Sequence, residues 1–423
     1  MTPTEFAHYL EQYAEVIIRV GLNLQPGQRL LIGASLSGRS GAPLESAPLV
    51  RLVTEKAYQA GAPFVDVIWD DEHLKRLRFE HAPRDSFEHY STWKTETTAA
   101  YGERGDALLV LQAADPDLLA GQDPELIATA QRVDAQHCQP MAAILGQVAT
   151  NWLIMSVPVP GWSAKVLPDI PAAEREGRMW EIIFEMCRAR GDDPVRGWQE
   201  HLRGLTTRSD YLNGKHYSAL KYTAPGTDLT VGLPDRHLWR SPMLTNSAGI
   251  TFTPNLPTEE IFSIPHKDRV EGVVSATKPL SSGGTLIEGF TLTFEAGQVV
   301  RATADKGEAA LRSLLDTDEN ARRLGEVALV PNSSPISQSG LLFYHNLFDE
   351  NASNHIALGR AFKFSMAGSE SLSDDEFEAE GGNLSLIHID FMIGSGEMDV
   401  DGITEDGAVE PVMRAGEWAF EVS

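Results

Sequence analysis

Ala107-Leu108-Leu109-Val110-Leu111 is an uninterrupted apolar run of the length of a short strand. An apolar run without polar alternation suits a strand covered on both faces, as in a parallel sheet. Leu30-Leu31-Ile32, Phe64-Val65-Asp66-Val67-Ile68-Trp69 and Leu153-Ile154-Met155-Ser156-Val157 repeat the theme. Helical stretches lie between them. The first helix starts at Thr2, a capping residue, with Pro3 at the first helical position and Glu5 completing a capping box. Phe6, Leu10, Tyr13, Ile17 and Val20 then make one apolar face. A second helix is read from about Pro48 to Ala60. Strands alternating with helices imply parallel pairing through right-handed crossovers. Residues 1–195 therefore read as an open α/β domain with a mainly parallel sheet.

The pattern then changes. Met179 to Arg188 reads as a helix with Trp180, Ile183, Phe184 and Cys187 on one face; Gly191-Asp192-Asp193-Pro194 breaks it, and Trp198, His201 and Leu202 begin another. From Tyr217 onward the chain consists of short strands and tight turns. Val270 to Val274, Gly289 to Phe294 and Val299 to Thr303 are examples, the last two joined by a hairpin turn at Glu295-Ala296-Gly297-Gln298. Ser281-Ser282-Gly283-Gly284 marks a further loop. Residues 196–423 thus read as a sheet-rich α+β domain.

Among the 423 residues, 60 are acidic and 35 basic, a formal charge of -25. That balance argues against nucleic acid and anionic membrane surfaces as partners. No 18 apolar residues run together, and the N-terminus lacks the basic and apolar regions of a secretory signal. Two cysteines, Cys138 and Cys187, give no disulfide framework. A reducing, cytoplasmic compartment is expected, so the Asn-x-Ser triplets at Asn332, Asn351 and Asn383 are not expected to carry glycan. Gly33 to Gly41 is Gly/Ser-rich after a strand but fits neither nucleotide-binding pattern. It reads as a loop.

Chemistry collects in the second half. Ser385-Leu386-Ile387-His388-Ile389-Asp390-Phe391-Met392 reads as a strand, which puts His388 and Asp390 on one face and Ile387, Ile389 and Phe391 on the other. A buried His and Asp need partners, and a divalent cation is one. A satisfied core histidine is the plainer reading of that strand taken alone. Glu326 enters a run of Val, Ala and Leu, where an ionised carboxylate needs a cation or hydrogen bonds. His355 is read as beginning a short apolar helix.

Four stretches in this order, Asn255 to Val270, Gly325-Glu326, Leu347 to Gly359 and His388 to Ser395, resemble the bacterial metallo-aminopeptidase family of the aminopeptidase T and aminopeptidase S type. The run Val20 to Leu31 is similar to that family's start, and the likeness covers essentially the whole chain. It implies a cytosolic, homodimeric exopeptidase with an N-terminal α/β domain and a C-terminal catalytic domain, acting on short peptides. It also implies two divalent metal ions per chain held by Glu260, Glu326, His355, His388 and Asp390. Glu350 corresponds to a further acidic position, as a ligand or a proton carrier. Of the adjacent pair, Glu260 and not Glu259 matches the ligand position.

Carboxylates and imidazoles without thiolate suit zinc, cobalt or manganese. Two metals about 3.5–4 Å apart, bridged by Glu326, would turn bound water into a hydroxide that attacks the first peptide bond. Glu350 or Glu326 would carry the proton to the leaving amine. One residue departs from the pattern: the family has a tyrosine seven residues after the His355 position, and Phe362 stands there. That leaves room for a metal-binding homologue with weak or lost activity. A third reading follows from enzymes that resemble this family and open a dihydroxypyridine ring with a single iron.

Overall fold

A computed structural model describes residues 1–35, 41–282 and 285–422. The loop read at Gly33 to Gly41 falls outside the described residues at 36–40, as do Gly283 and Gly284 of the second loop. The chain divides into two compact units: Met1–His201 with Met243–Pro257, and Leu202–Pro242 with Thr258–Ser423.

In the first unit the apolar runs form a five-stranded sheet, in the order Asn255–Leu256, Trp152–Ser156, Ala107–Gln112, Leu30–Ile32 and Val65–Val67. Every neighbouring pair is parallel. Leu31, Leu108, Val110 and Trp152 pack with Tyr101, Met141 and Ile144 from the helices. The three central strands, covered on both faces, lack the polar alternation of a one-sided sheet, whereas the edge strand Val65–Val67 is half-buried and carries Asp66. The capping box at Thr2 and Glu5 is present, and the first helix runs Pro3–Val16 before widening into a π turn at Ile17–Gly21.

A single division after residue 195 omits two features. The helix Pro194–Lys215 runs through that point, and the first unit ends at His201 inside it. Residues 243–257 also return to the first unit. They do so because Asn255–Leu256 adds an edge strand beside Trp152–Ser156 and Phe252 packs edge-on against Trp152, ring centroids 4.9 Å apart. The stretch Asn255 to Phe262 is therefore shared out, its start in the parallel sheet and its end elsewhere.

The second unit holds an eight-stranded sheet in the order Gln298–Thr303, Thr291–Glu295, Val270–Ser275, Thr227–Gly232, Ala219–Ala224, Asp399–Ile403, Val409–Arg414 and Glu417–Trp418, antiparallel throughout. The turn at Ala296-Gly297 has both residues at positive φ, 46° and 78°, which closes a two-residue hairpin with the right twist. A smaller antiparallel sheet orders Ile261–Ser263, Leu324–Leu329, His355–Gly359 and His388–Met392. One core cluster joins the two sheets, with Leu229, Val231 and Leu292 from the large one and Val327, Leu329, Ile356, Leu358 and Phe391 from the small one.

His355 opens a strand and not a helix. Its five residues are all buried and bonded to a neighbour on each side. A short apolar run carries no period that separates helix from strand; pairing with partners remote in sequence decides it.

Candidate metal centre

The small sheet has two chemically different faces. Val327, Leu329, Ile356, Leu358 and Phe391 enter the core. Residues alternating with them, Glu326, His355, Ala357, His388 and Asp390, take the opposite face. A bulge at Gly325 makes this possible: the register skips between Leu324 and Glu326, so Leu324 and Val327 both stay in the core although they are three residues apart. The close approach requires glycine, since a Cβ there would lie 2.3 Å from the Arg360 carbonyl oxygen.

Register also sets the spacing of the ligand types. Ala357 stands directly across from Glu326 on one side and from Asp390 on the other. A methyl group between two carboxylates leaves space that a larger side chain would fill.

Both imidazoles are oriented by backbone carbonyls, which can only accept. His355 Nδ1 donates to Ser353 O at 3.2 Å, and His388 Nδ1 donates to Arg360 O at 2.7 Å. Their Nε2 atoms are thereby turned to the carboxylates. His355 Nε2 lies 3.0 Å from Glu260 Oε2 and 3.6 Å from Glu326 Oε1. His388 Nε2 lies 3.4 Å from Asp390 Oδ1 and 3.9 Å from Glu326 Oε2. Glu326 thus offers one oxygen to each histidine. Two groups result, Glu260–Glu326–His355 and Glu326–His388–Asp390, in each of which the potential ligand atoms lie within 4.8 Å of one another.

These donors fit divalent cations. Glu260 Oε2 and Asp390 Oδ1 are buried, yet neither receives a hydrogen bond of acceptable geometry, despite the imidazole nitrogens 3.0 and 3.4 Å away. Lone pairs buried in this way are suited to a cation between them. Oxygen and nitrogen donors without sulfur suit zinc, cobalt or manganese; Cys138 and Cys187 both lie in the first unit.

In the metal-free protein the charges adjust. Burial raises the Glu326 carboxyl, and the hydrogen bond from His355 offsets part of that rise. Burial would lower His355, but Glu260 and Glu326 outweigh it and hold the imidazolium well above the usual histidine range. His388 is likewise lowered by burial and, against that, raised by Asp390 to about 9. Burial, followed by the charges of Glu260 and Asp390, pushes Glu350 well above the usual carboxylate range.

Glu350 belongs to neither group. It shares with Asp390 the wall of a small, partly open pocket. Glu259, although buried, also lies outside both groups. Phe362 sits against His388, ring centroids 4.7 Å apart, and stacks on Phe364 at 5.3 Å. Two contributors escaped the sequence reading. Asn351 accepts from the Glu259 N–H at 2.7 Å and donates to Leu347 O at 3.0 Å, tying the segment before Glu260 to that before Glu350. Its neighbour Glu350 was the available signal. Ala357 carries no polar atom, and only the register reveals it.

Two outcomes follow from this geometry. Ala357→Val adds two methyl groups between Glu326 and Asp390. It is expected to weaken metal uptake by at least about tenfold, measured by metal analysis after dialysis, while Ala357→Ser stays close to the wild type. Histidine must be neutral to coordinate, so metal binding to the metal-free protein releases protons below about pH 9. The His388 contribution to metal-free stability, with its pKa raised on folding, is fully present below about pH 6.5 and is lost as pH rises through about 9. Calorimetric titrations in buffers of different ionisation enthalpy at pH 7 and pH 10 measure the release; equal release at both would contradict it.

Comparison with known proteins agrees with the donor set. The family described as thermophilic metalloprotease (M29) matches residues 6–418. "Aminopeptidase 2" of Geobacillus stearothermophilus is 46% identical over 414 residues, 98% of either chain. The solved structure of wild-type AmpT from Thermus thermophilus superposes with a TM-score of 0.91 at 44% identity, covering 98% of this chain and 100% of that one. A 2,5-dihydroxypyridine dioxygenase from Pseudomonas putida, at TM-score 0.53 and 11% identity over 100% of this chain and 99% of its own, shares the fold alone. With carboxylates and imidazoles gathered on one sheet face and likeness running the length of the chain, this protein belongs to the thermophilic metalloprotease (M29) family and is a metallo-aminopeptidase.

Proposed function

We propose that the chain releases N-terminal amino acids from short peptides at a centre of two divalent cations bridged by Glu326. One observation carries this: the two Glu326 oxygens face different histidines. Glu260 and His355 would complete one cation site, His388 and Asp390 the other. When bound, the cations supply Lewis acidity toward the peptide carbonyl and lower the pKa of a water to near neutrality.

The remaining work falls to the chain. The carboxylate of Asp390 on the pocket wall attracts a free α-ammonium. Glu350, which burial keeps protonated, would hold a proton on its carboxyl and pass it to the departing amine nitrogen. Phe362 excludes water beside His388 but has no hydroxyl to donate to a developing oxyanion.

The single-iron reading is less well supported. A facial triad asks for two histidines and one carboxylate, whereas each group here has one histidine and two carboxylates. The reading includes a cytoplasmic location, consistent with two buried free thiols, and a homodimer. Among the described residues no helix is long and apolar enough to cross a membrane.

Chelated protein refilled with Co²⁺, Zn²⁺ or Mn²⁺ is expected to bind two ions per chain and to cleave leucine p-nitroanilide. Two bound ions and no turnover with any metal would favour a binding homologue. One bound iron with oxygen uptake would favour ring opening. Phe362→Tyr is expected to raise kcat, by up to about 10²-fold if the hydroxyl reaches the oxyanion; an unchanged kcat would show that the ring alone serves this site. Sedimentation equilibrium is expected to return twice the 46.3 kDa chain mass, and a monomer would remove the dimer from the reading.

A further inference from the structure

The face that carries the candidate ligands is not wholly polar. On the strand Ile261–Ser263, Ile261 enters the core, so Phe262 alternates onto the face of the candidate ligands. It pairs with Ala328, and Ala328 pairs with His355. Phe364 meets Phe262 edge-on, with ring centroids 6.1 Å apart and planes at 81°. On its other side Phe364 stacks on Phe362, which lies against His388. Three phenylalanine rings thus form one row that ends on a candidate ligand. All three are half-buried, so the row keeps open surface.

The row is held in place. Arg240 and Phe262 exchange backbone hydrogen bonds, from the Arg240 N–H to Phe262 O at 2.8 Å and from the Phe262 N–H to Arg240 O at 3.1 Å. Arg240 Nε also donates to Phe364 O at 2.6 Å. One arginine therefore ties together the segments that carry Phe262 and Phe364. An apolar surface fixed in this way is preorganised for an apolar guest, and leaving it in water is unfavourable.

The reaction supplies such a guest. The carbonyl that is attacked belongs to the N-terminal residue, whose side chain leaves from the next carbon. Asp390, which draws the α-ammonium, and His388 are two apart on one strand face, a separation of about 7 Å. An N-terminal residue with its nitrogen at Asp390 brings a side chain of leucine or phenylalanine size within reach of the ring beside His388.

We propose that Phe362, Phe364 and Phe262 form the subsite for the side chain of the substrate's N-terminal residue, and that the enzyme selects large apolar residues there. This rests on the aminopeptidase reading and names specificity-determining residues for it. A small side chain leaves the rings in water, and an acidic one brings a charge against them, so both are disfavoured.

The test measures kcat/KM for the p-nitroanilides of phenylalanine, leucine and alanine with metal-loaded full-length enzyme. The leaving group is constant, so only the N-terminal side chain varies. Wild type is expected to prefer phenylalanine and leucine to alanine by about tenfold or more, the effect of burying the extra carbons. Phe364→Ala and Phe262→Ala are each expected to lower that ratio by at least about threefold, and Phe364→Leu to retain most of it. A merely structural role would slow all three substrates alike and leave the ratio as it is. A wild-type ratio near 1, or a ratio kept by both alanine variants, would overturn the proposal. Calorimetric binding of L-phenylalanine and L-alanine, the products, reads the same contrast without turnover. If no p-nitroanilide is cleaved with any metal, yet wild type binds L-phenylalanine the more tightly and Phe364→Ala does not, the aminopeptidase reading falls and the apolar subsite stands. Absence of both turnover and binding contrast removes the two together.

Discussion

Glu260, Glu326 and Asp390 gather with His355 and His388 in one small region, and the repulsion among the carboxylates is the constraint that the second unit is built to hold. Two like charges about 4 Å apart repel by about 4 kcal/mol at the effective dielectric of a protein surface. Without metal, the chain answers with protons: His355 and His388 are held charged, and Glu350 is held neutral. With metal bound, those protons would leave, because a coordinating imidazole must be neutral. Binding affinity, proton balance and folding stability are thus one linked quantity in this protein.

The scaffold for that repulsion is hydrocarbon. The face opposite the candidate ligands inserts Val327, Leu329, Ile356, Leu358 and Phe391 into a core shared with the large antiparallel sheet. That packing fixes the strands, the strands fix the register, and the register places Ala357 between two acids. Charged groups forced together need a frame that cannot relax, and close-packed side chains on the far side of each strand provide it.

Much of this is legible in residue order. Uninterrupted apolar runs reveal the parallel sheet because burial on both faces removes the polar alternation. His388 and Asp390, two apart on a strand, declare a shared face through backbone geometry alone. What residue order hides is pairing. His355 could be read as a helix start because the short run Ile356-Ala357-Leu358-Gly359 fits either period, and only strands some 30 residues away on each side decide it. The return of 243–257 to the first unit is hidden for the same reason, since two residues of edge pairing leave no local pattern.

Gly325 sits at a crossing of these demands. The Arg360 carbonyl, which a side chain at 325 would displace, is the same carbonyl that accepts from His388 Nδ1. An absent side chain on one strand thus governs the aim of an imidazole on another, without touching cation or peptide. For drift and for laboratory evolution, this means that heritable variation in catalysis need not arise among the candidate ligands. A search confined to residues that meet the substrate would pass over a position to which the histidine answers directly.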